Sequence, residues 1–202
     1  MNPQSPESLR ARLREARAQL TPAQRIAAAS AVVECLEQLP EFLVDERVAG
    51  YWAVGGELPL HAAVARLRAR GQRYHLPVIA KGRRLRFAPL LPNATLRANR
   101  YGIPEPQGAE NELLAPSAIE LVLVPLTAFD RRGHRLGSGG GYYDRSFAFL
   151  RDVTRPISPL LVGIGYSFQE LPALELQGWD VPMDYIATER ELIDCTALET
   201  SP

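Results

Sequence analysis

Hydrophobic and polar positions at the start of the chain follow the spacing of helices. In residues 5–20, apolar side chains recur every three or four positions among arginines, a pattern typical of an amphipathic helix. Thr21 followed by Pro22 has the composition of a helix start, because threonine caps helices and proline fits the first helical position. We therefore predict a second helix that ends near Leu39.

Strand-like and helix-like patterns alternate in the next part of the chain. Val48 to Ala53 is predicted to be a strand, and Leu60 to Arg70 a helix closed by Gly71. Gln72 to Ile79 and Leu85 to Leu90 are predicted to pair as a hairpin, and residues 91–99 to form a loop. Two strands thus flank a helix, which is the order of a βαβ unit.

The stretch from Leu121 to Asp144 has the most distinctive pattern. It begins with LVLVPLTAFD, an almost unbroken apolar run typical of a strand buried on both faces of a parallel sheet. A polar turn with Gly133 follows, then the glycine-rich segment SGGGYYD, then a helical pattern that ends near Arg151. Leu160 to Gly165 is predicted to be another buried strand.

This alternation predicts an α/β fold: one domain over residues 1–202, with a mostly parallel, Rossmann-like open sheet and helices on both faces in a three-layer α/β/α arrangement. Residues 195–202 are expected to form a frayed end. Ligands of such sheets bind beyond the carboxyl ends of the strands, where the glycine-rich segment is predicted to lie.

Composition and charge narrow the possible partners. Lysine plus arginine number 23 and aspartate plus glutamate 23, so no net field attracts nucleic acid or an acidic membrane surface. Two distant cysteines, Cys35 and Cys195, form neither a disulfide framework nor a zinc motif and fit a reduced compartment. No apolar run approaches the ~20 residues of a membrane span, and no signal peptide is evident. We expect a cytoplasmic monomer that acts on small molecules, without nucleic-acid or membrane partners.

The glycine-rich segment has the chemistry of an anion site. Glycines let backbone N–H groups approach a ligand closely, and a helix start adds unpaired N–H groups. Arg132 and Arg135 precede the segment and could supply positive charge. It is neither a Walker A loop, since no Gly-Lys-Ser/Thr follows, nor a dinucleotide fingerprint, since its third glycine comes one residue early. A flexible turn is the alternative for glycines alone, but the Tyr-Tyr-Asp sequence that ends the segment favours a ligand site.

The stretch PLTAFDRRGHRLGSGGGYYDR resembles the signature of the 5-formyltetrahydrofolate cyclo-ligase family, also called 5,10-methenyltetrahydrofolate synthetases. Weaker similarity extends over most of the chain. The resemblance implies an α/β fold and an enzyme that closes 5-formyltetrahydrofolate to 5,10-methenyltetrahydrofolate. It also implies that ATP is the co-substrate, that Mg²⁺ is required, and that ADP and phosphate are released.

The resemblance also implies site residues. The expected ATP contacts are Arg10, Arg14, Arg135, Gly137, Ser138, Gly139, Gly140, Gly141, Tyr142 and Tyr143. The expected folate contacts are Trp52, Glu57, Ser138, Gly139, Gly140, Gly141 and Tyr142. Glu57 would accept hydrogen bonds from the pterin, and Trp52 would pack on its ring unless it is a core aromatic of the strand. The segment Tyr101 to Pro106 is expected to be extended near the cleft.

Metal and catalytic roles follow from the same resemblance. Asp144 and Asp184 would hold Mg²⁺, a hard cation that prefers carboxylate and phosphate oxygens. Arg135 would offset phosphate charge, while Tyr142 and Tyr143 would shape the pocket between the formyl group and the phosphate. None of these groups is an obvious covalent nucleophile, and the mechanism needs none.

Two positions depart from the family pattern. A basic residue is expected four positions before Arg10, where this chain has Pro6, and some relatives carry a basic residue where this chain has Ser138. Arg14, one turn after Arg10, is a possible substitute. These departures keep two alternatives open: a folate-binding or regulatory module without turnover, and another nucleotide-dependent α/β enzyme that uses the same glycine loop.

Overall fold

A computed structural model describes residues 5–108, 112–151, 153–175 and 177–196. The strands are β1 Arg47–Ala49, β2 Arg73–Ala80, β3 Arg84–Pro89, β4 Leu96–Ala98, β5 Pro104–Pro106, β6 Leu121–Pro125, β7 Ala128–Phe129, β8 Arg135–Leu136, β9 Leu160–Ile164, β10 Tyr185–Ala187 and β11 Leu192–Asp194. The α-helices are α1 Pro6–Ala18, α2 Pro22–Leu36, α3 Pro40–Val44, α4 His61–Ala69 and α5 Tyr142–Ser146. The predicted frayed end lies outside the described residues beyond Thr196.

Seven strands form one sheet in the order β11-β10-β9-β6-β1-β2-β3. Neighbouring strands from β10 to β2 are parallel, and the two edge strands, β3 and β11, are antiparallel. The mostly parallel α/β sheet is thus confirmed. From β1 the chain proceeds to β2 and β3 on one side, whereas from β6 it proceeds to β9 and β10 on the other. The direction therefore reverses between β1 and β6, which is where open α/β sheets bind ligands.

Strand β6 is buried on both faces, as its apolar run predicted. Leu121 and Leu123 point to the core that α2, α3 and α4 cover, while Val122 and Val124 point to the opposite core. Successive side chains of a strand face opposite sides of the sheet. When both sides are covered by packed layers, neither set of side chains is exposed to water, and all positions favour apolar residues. Helix α2 begins at a capping box that Thr21 forms with Gln24.

The second face of the sheet carries less helix than predicted. The helix expected to continue to Arg151 ends at Ser146 and is followed by a short 3₁₀ helix, Ala148–Leu150. Phe147, between the two, is fully buried in the core of that face. The helix ends where this ring is buried, so tertiary packing at Phe147 outweighs the helical preference that the apolar spacing indicates.

Two other boundaries differ from the pattern. The strand expected to reach Ala53 ends at Ala49, because the chain leaves the sheet after Gly50, whose added Cβ would overlap the Tyr74 hydroxyl. The loop expected over residues 91–99 contains β4, which pairs with β5 outside the main sheet. No helix in the described part of the chain is long and apolar enough to cross a lipid bilayer.

Candidate active site

A cleft of about 1760 Å³ lies at the carboxyl ends of the strands, beside the point where the strand order reverses. Its walls come from helix α1, from the loop that follows β1, from the β4–β5 hairpin and from the glycine loop, which we define as residues 137–141. The extended segment expected near the cleft contributes Tyr101, Ile103 and Glu105 to its lining. Segments far apart in sequence thus meet at one concave surface, where ligand sites typically form.

The backbone of the glycine loop depends on the absence of side chains. Gly139 and Gly141 have φ angles of +97° and +62°, which L-residues rarely adopt. A Cβ on Gly140 would lie 2.8 Å from the Tyr142 ring. Helix α5 starts directly after the loop but spans five residues, so its dipole adds little to anion binding. Attraction of an anion must therefore come mainly from loop N–H groups and nearby arginines.

Helix α1 brings arginines to this loop. The Arg10 Nε atom donates a hydrogen bond to the Gly137 carbonyl oxygen at 2.8 Å. Its guanidinium carbon lies 3.7 Å from the position a Cβ would take on Gly139. Arg14 donates from Nη2 to the Ser138 carbonyl oxygen at 3.4 Å. Two positive charges predicted to contact phosphate therefore adjoin the loop, although they lie more than 120 residues before it in the chain.

Arg135 and Asp144 form an ion pair at the floor of the cleft. Arg135 Nη2 lies 2.5 Å from Asp144 Oδ1, and the side chains are 6% and 19% exposed. Arg135 also donates to the Val181 carbonyl oxygen, and the Val181 N–H donates to Asp144 Oδ1 at 3.3 Å. Within the described residues these hydrogen bonds leave Asp144 Oδ2 available. Arg135 is thus held mainly by protein groups, while Asp144 keeps one oxygen for a ligand.

Asp184, the other carboxylate predicted to hold Mg²⁺, does not line the cleft. It is 2% exposed, both of its oxygens accept hydrogen bonds from Arg155, and Oδ2 also accepts from the Leu161 N–H at 2.7 Å. Leu161 lies in the first half of β9, and Asp184 directly precedes β10, so this group belongs to the amino-terminal edge of the sheet. Burial raises the pKa of Asp184, and the Arg155 guanidinium opposes that rise. Its contacts are those of a structural ion pair.

The two tyrosines after the loop have different surroundings. The Tyr142 hydroxyl lies 2.9 Å from that of Tyr101 and accepts from Arg100 at 2.5 Å. The hydrogen bond with Tyr101, followed by the Arg100 charge, lowers the pKa of Tyr142. Tyr143 stacks on Phe147 at 6.3 Å, and removal from water raises its pKa. The Tyr142 hydroxyl therefore has polar neighbours, whereas Tyr143 lies in apolar surroundings and stays a neutral phenol.

The loop after β1 supplies the residues predicted to contact the folate. Trp52 is 40% exposed and lines the cleft, so it is not a core aromatic. Gly55 and Gly56 have φ angles of +57° and +76°, and the turn they make lets Glu57 Oε2 accept from the Val54 N–H at 3.0 Å. Burial raises the pKa of Glu57, and this hydrogen bond and the charges of α1 oppose the rise. Glu57 is thus a partly desolvated carboxylate directed at the cleft.

The sequence prediction did not include a buried cation of the cleft. Arg17 is 2% exposed, and it lines the cleft beside Glu57. Arg10, Arg14 and Arg17 are spaced four and three positions apart, so all three lie on one face of α1. That spacing is a signal the sequence did contain.

Preformed metal clusters are absent from the described residues, since no three His, Cys, Asp or Glu side chains come together there. His75 Nδ1 donates to the Val48 carbonyl oxygen, and His134 contacts Asp130 within the turn after β7. Any divalent cation in the cleft would therefore depend on a carboxylate together with ligand oxygens.

Comparison with known proteins shows the family to which the chain belongs. The model of the 5-formyltetrahydrofolate cyclo-ligase family matches residues 2–189. The chain is 31% identical over 185 residues to the 5-formyltetrahydrofolate cyclo-ligase of Haemophilus influenzae, covering 91% of this chain and 97% of the relative. It is 30% identical over 179 residues to the Escherichia coli K12 cyclo-ligase, covering 87% and 96%. The solved structure of 5,10-methenyltetrahydrofolate synthetase from Aquifex aeolicus superposes with a TM-score of 0.78 at 30% identity, covering 94% and 92%.

Proposed function

The chain belongs to the 5-formyltetrahydrofolate cyclo-ligase family, and we propose that it closes 5-formyltetrahydrofolate to 5,10-methenyltetrahydrofolate with consumption of ATP in the presence of Mg²⁺. It is an enzyme of the cyclo-ligase class. The observation that carries the proposal is the meeting of the α1 arginines with the glycine loop, in the same cleft that holds Trp52 and Glu57. One cavity thereby offers a cationic end for phosphates and an aromatic, acidic end for a pterin.

The chemistry explains why ATP is needed. The formyl group on N5 is amide-like and a poor electrophile, so direct attack by N10 is slow. In the proposed reaction the formyl oxygen attacks the γ-phosphorus, and ADP leaves. N10 then bonds to the activated carbon and loses its proton, and the carbon–oxygen bond breaks to release phosphate. The protein mainly positions the two substrates and neutralises charge.

At the folate end, Glu57 would accept hydrogen bonds from the pterin amino group and ring N–H. A carboxylate has two acceptor oxygens and can accept both at once. Trp52, partly exposed at the same wall, offers a flat surface for the ring. These contacts would orient the formyl group toward the glycine loop.

At the nucleotide end, N–H groups of Gly137, Ser138, Gly139, Gly140 and Gly141 would surround the transferred phosphate. Arg10 and Arg14, which already contact carbonyl oxygens of this loop, would offset the charge of the phosphate chain. Arg135 lies behind Asp144 with a side chain that is 6% exposed, so we propose that it positions the carboxylate more than it contacts phosphate.

The donor set near the loop fits Mg²⁺ through Asp144. Magnesium is usually held by one or two carboxylates together with substrate phosphates, and Asp144 Oδ2 is available for this. When bound, the ion would reduce the negative charge that repels the incoming formyl oxygen. Asp184 is left out of the metal proposal, because Arg155 and the Leu161 N–H occupy its oxygens.

The tyrosines would enclose the reacting atoms. Tyr142 reaches across the mouth of the cleft to Tyr101 and Arg100, and its hydroxyl can donate to a formyl or phosphate oxygen. Tyr143 lines the cleft as a neutral phenol backed by Phe147. Together they would exclude water from the phosphorylated formyl group, which water would otherwise hydrolyse.

We further propose that residues 1–202 form one domain and that the protein works as a cytoplasmic monomer. A single seven-stranded sheet with a core on each face supports the first part. Size-exclusion chromatography with light scattering tests the second, and a dimer mass would contradict it.

The experiment is a spectroscopic assay. The methenyl product is a conjugated amidinium and absorbs in the near ultraviolet, where the substrate does not. The protein is mixed with 5-formyltetrahydrofolate, ATP and Mg²⁺, with controls that lack ATP or Mg²⁺. An absorbance rise that needs both is expected. Binding of the folate without a rise would instead indicate a module without turnover, and binding of ATP alone would indicate a different nucleotide-dependent enzyme.

A further inference from the structure

Arg17 is a buried cation, and not all N–H groups of its guanidinium have hydrogen-bond partners among the described residues. It lies at the end of α1 and is 2% exposed. Its Nη1 donates to the Leu126 carbonyl oxygen at a long 3.5 Å, and its Nε has no hydrogen-bond partner in the described ranges of the chain. A buried charge without a full set of partners is unfavourable unless an opposite charge lies nearby.

Among the described residues, the carboxylate whose charge acts on Arg17 is Glu57, which lies near it without forming a direct ion pair. The loop after β1 rests on α1 at this point: a Cβ on Gly56 would lie 3.2 Å from the Arg17 Cβ and 3.3 Å from its carbonyl oxygen. Both side chains line the cleft. Arg25 also holds this end of α1, because its Nη2 donates to the Arg17 carbonyl oxygen at 3.0 Å.

The titratable groups that face Glu57 come from three elements. Helix α1 contributes Arg17 and Arg14, both cationic, of which Arg17 has the larger effect. Tyr51, beyond the end of β1, donates its hydroxyl hydrogen to the Leu58 carbonyl oxygen at 2.5 Å and has a pKa well above its ordinary value because it is buried. Tyr143, from α5, is also a neutral phenol. The two arginines are therefore the groups that oppose the effect of burial on Glu57.

We propose that Arg17 is a positioning residue for folate binding: it keeps Glu57 ionised inside the cleft, so that the carboxylate can accept hydrogen bonds from the pterin. This inference rests on the proposed contact between Glu57 and the pterin. The amino group and ring N–H of a pterin are donors, and a protonated carboxyl group would present a hydrogen of its own to one of them. Folate affinity then depends on the charge of a neighbouring cleft residue that is not itself proposed to contact the pterin.

The sign of the effect follows from linkage. Binding that requires ionised Glu57 is strong above the pKa of that group and weakens as the pH falls through it. Without the Arg17 charge, burial acts with less opposition, so the pKa of Glu57 rises and binding is lost at a higher pH. Removal of the Arg17 charge therefore moves the acid limb, the low-pH part of the binding profile where affinity falls, to higher pH.

The test measures binding of 5-formyltetrahydrofolate without ATP, by quenching of tryptophan fluorescence, from about pH 4 to about pH 8.5, a window that starts near the ordinary pKa of a glutamate and extends above it. Arg17→Gln removes the charge and keeps N–H donors. Arg17→Lys keeps the charge, and Arg12→Gln removes an exposed charge of the same helix that lies at the cleft but is not among the groups acting on Glu57. We expect the acid limb to move up by about one pH unit or more in R17Q and to stay near the wild-type position in R17K and R12Q.

A uniform loss of affinity in R17Q, with the acid limb at the wild-type pH, would overturn the proposal, because it would mean that Arg17 acts through packing. Glu57→Gln separates this result from failure of the proposed function. E57Q should bind weakly at every pH and show no acid limb; wild-type folate affinity in E57Q would refute the pterin contact itself. If R17Q unfolds in buffer, the titration is repeated for all variants with trimethylamine oxide, which favours the folded state.

Discussion

Replacing Asp144 with asparagine tests the pair at the floor of the cleft, because it removes one charge and hardly changes the shape. Two separate losses are expected. Mg²⁺ would lose its carboxylate ligand, and Arg135 would keep a positive charge with its side chain only 6% exposed. The fold and the metal proposal can therefore be examined with one variant and two measurements.

The size of the stability loss can be bounded from the contacts. Removing one partner of a fully buried ion pair costs about 3–5 kcal/mol. Asp144 is 19% exposed, an asparagine Oδ1 can still accept from Arg135, and Arg135 keeps its hydrogen bond to the Val181 carbonyl oxygen. We therefore expect a loss of about 2 kcal/mol, well below the 5–15 kcal/mol of a typical domain, so the variant should remain folded.

Urea unfolding measures the first loss, and calorimetric titration of ATP at several Mg²⁺ concentrations measures the second. A double-mutant cycle with Arg135→Met isolates the pair, because the double variant no longer contains an unpaired buried cation. Asp180→Asn is a matched control: this carboxylate also lines the cleft, and its Oδ2 accepts only an exposed hydrogen bond from the Gln177 N–H. The control should lose less than about 0.5 kcal/mol and keep its Mg²⁺ dependence.

The outcomes separate the two parts of the reasoning. Unchanged stability in D144N would refute the ion pair as a structural element. A destabilised D144N whose ATP binding still strengthens with Mg²⁺ as in the wild type would refute the metal role of Asp144. Equal effects in D144N and D180N would mean that any carboxylate at this wall attracts the ion without coordinating it.

Three other substitutions probe the cleft and its surroundings. Gly141→Ala should lower stability by about 1 kcal/mol or more and weaken Mg-ATP binding severalfold, because φ is +62° there, whereas Gly137→Ala, whose added Cβ meets no protein atom within 4 Å, should keep its stability in urea unfolding. Asp184→Asn should lower the free energy of unfolding by about 3 kcal/mol and leave the Mg²⁺ dependence of turnover unchanged; a shifted Mg²⁺ dependence would return Asp184 to the metal site. Arg14→Gln should raise the KM for ATP about tenfold and the KM for the folate by a smaller factor, because Arg14 acts on Glu57 less than Arg17 does; equal changes in both would contradict its assignment to the phosphate end.

Much of the fold could be predicted because its strands and turns are specified locally. The apolar run of β6 predicts burial on both faces, and the β2–β3 hairpin forms across the positive φ of Gly82 as its pattern indicated. The length of α5 could not be predicted in this way. Its helical spacing continues to Arg151, but the helix ends at Ser146 because the Phe147 ring enters the core beneath the sheet. That competition depends on the packed neighbours of Phe147, and no local pattern contains them.

The candidate site likewise has parts that the local sequence predicts and parts that depend on tertiary packing. Glu57 and the glycine loop lie in the connections that follow β1 and β6 of the sheet, so their place at its carboxyl edge can be predicted from chain order. The surroundings of Asp184 depend on Arg155, which lies 29 residues earlier, and on a backbone N–H of the neighbouring strand. A carboxylate next to a strand has the same local sequence whether it faces a metal or an arginine. Only the packed structure distinguishes the two cases.

Helix α1 accounts for how the chain accommodates its departures from the family pattern. Pro6, where a basic residue was expected, is the first residue of α1, and Ser5 caps the helix with its side chain. Position 6 thus starts the helix in this chain. The positive charge comes instead from Arg14, one turn after Arg10, which contacts the carbonyl oxygen of Ser138. Ser138 is the second position that departs from the family pattern. With Arg17 on the same face, one helix faces the phosphate end and the pterin end of the cleft together. Any displacement of α1 is therefore expected to change the proposed phosphate end and the proposed pterin end at once, so that docking of this helix would couple nucleotide affinity to folate affinity.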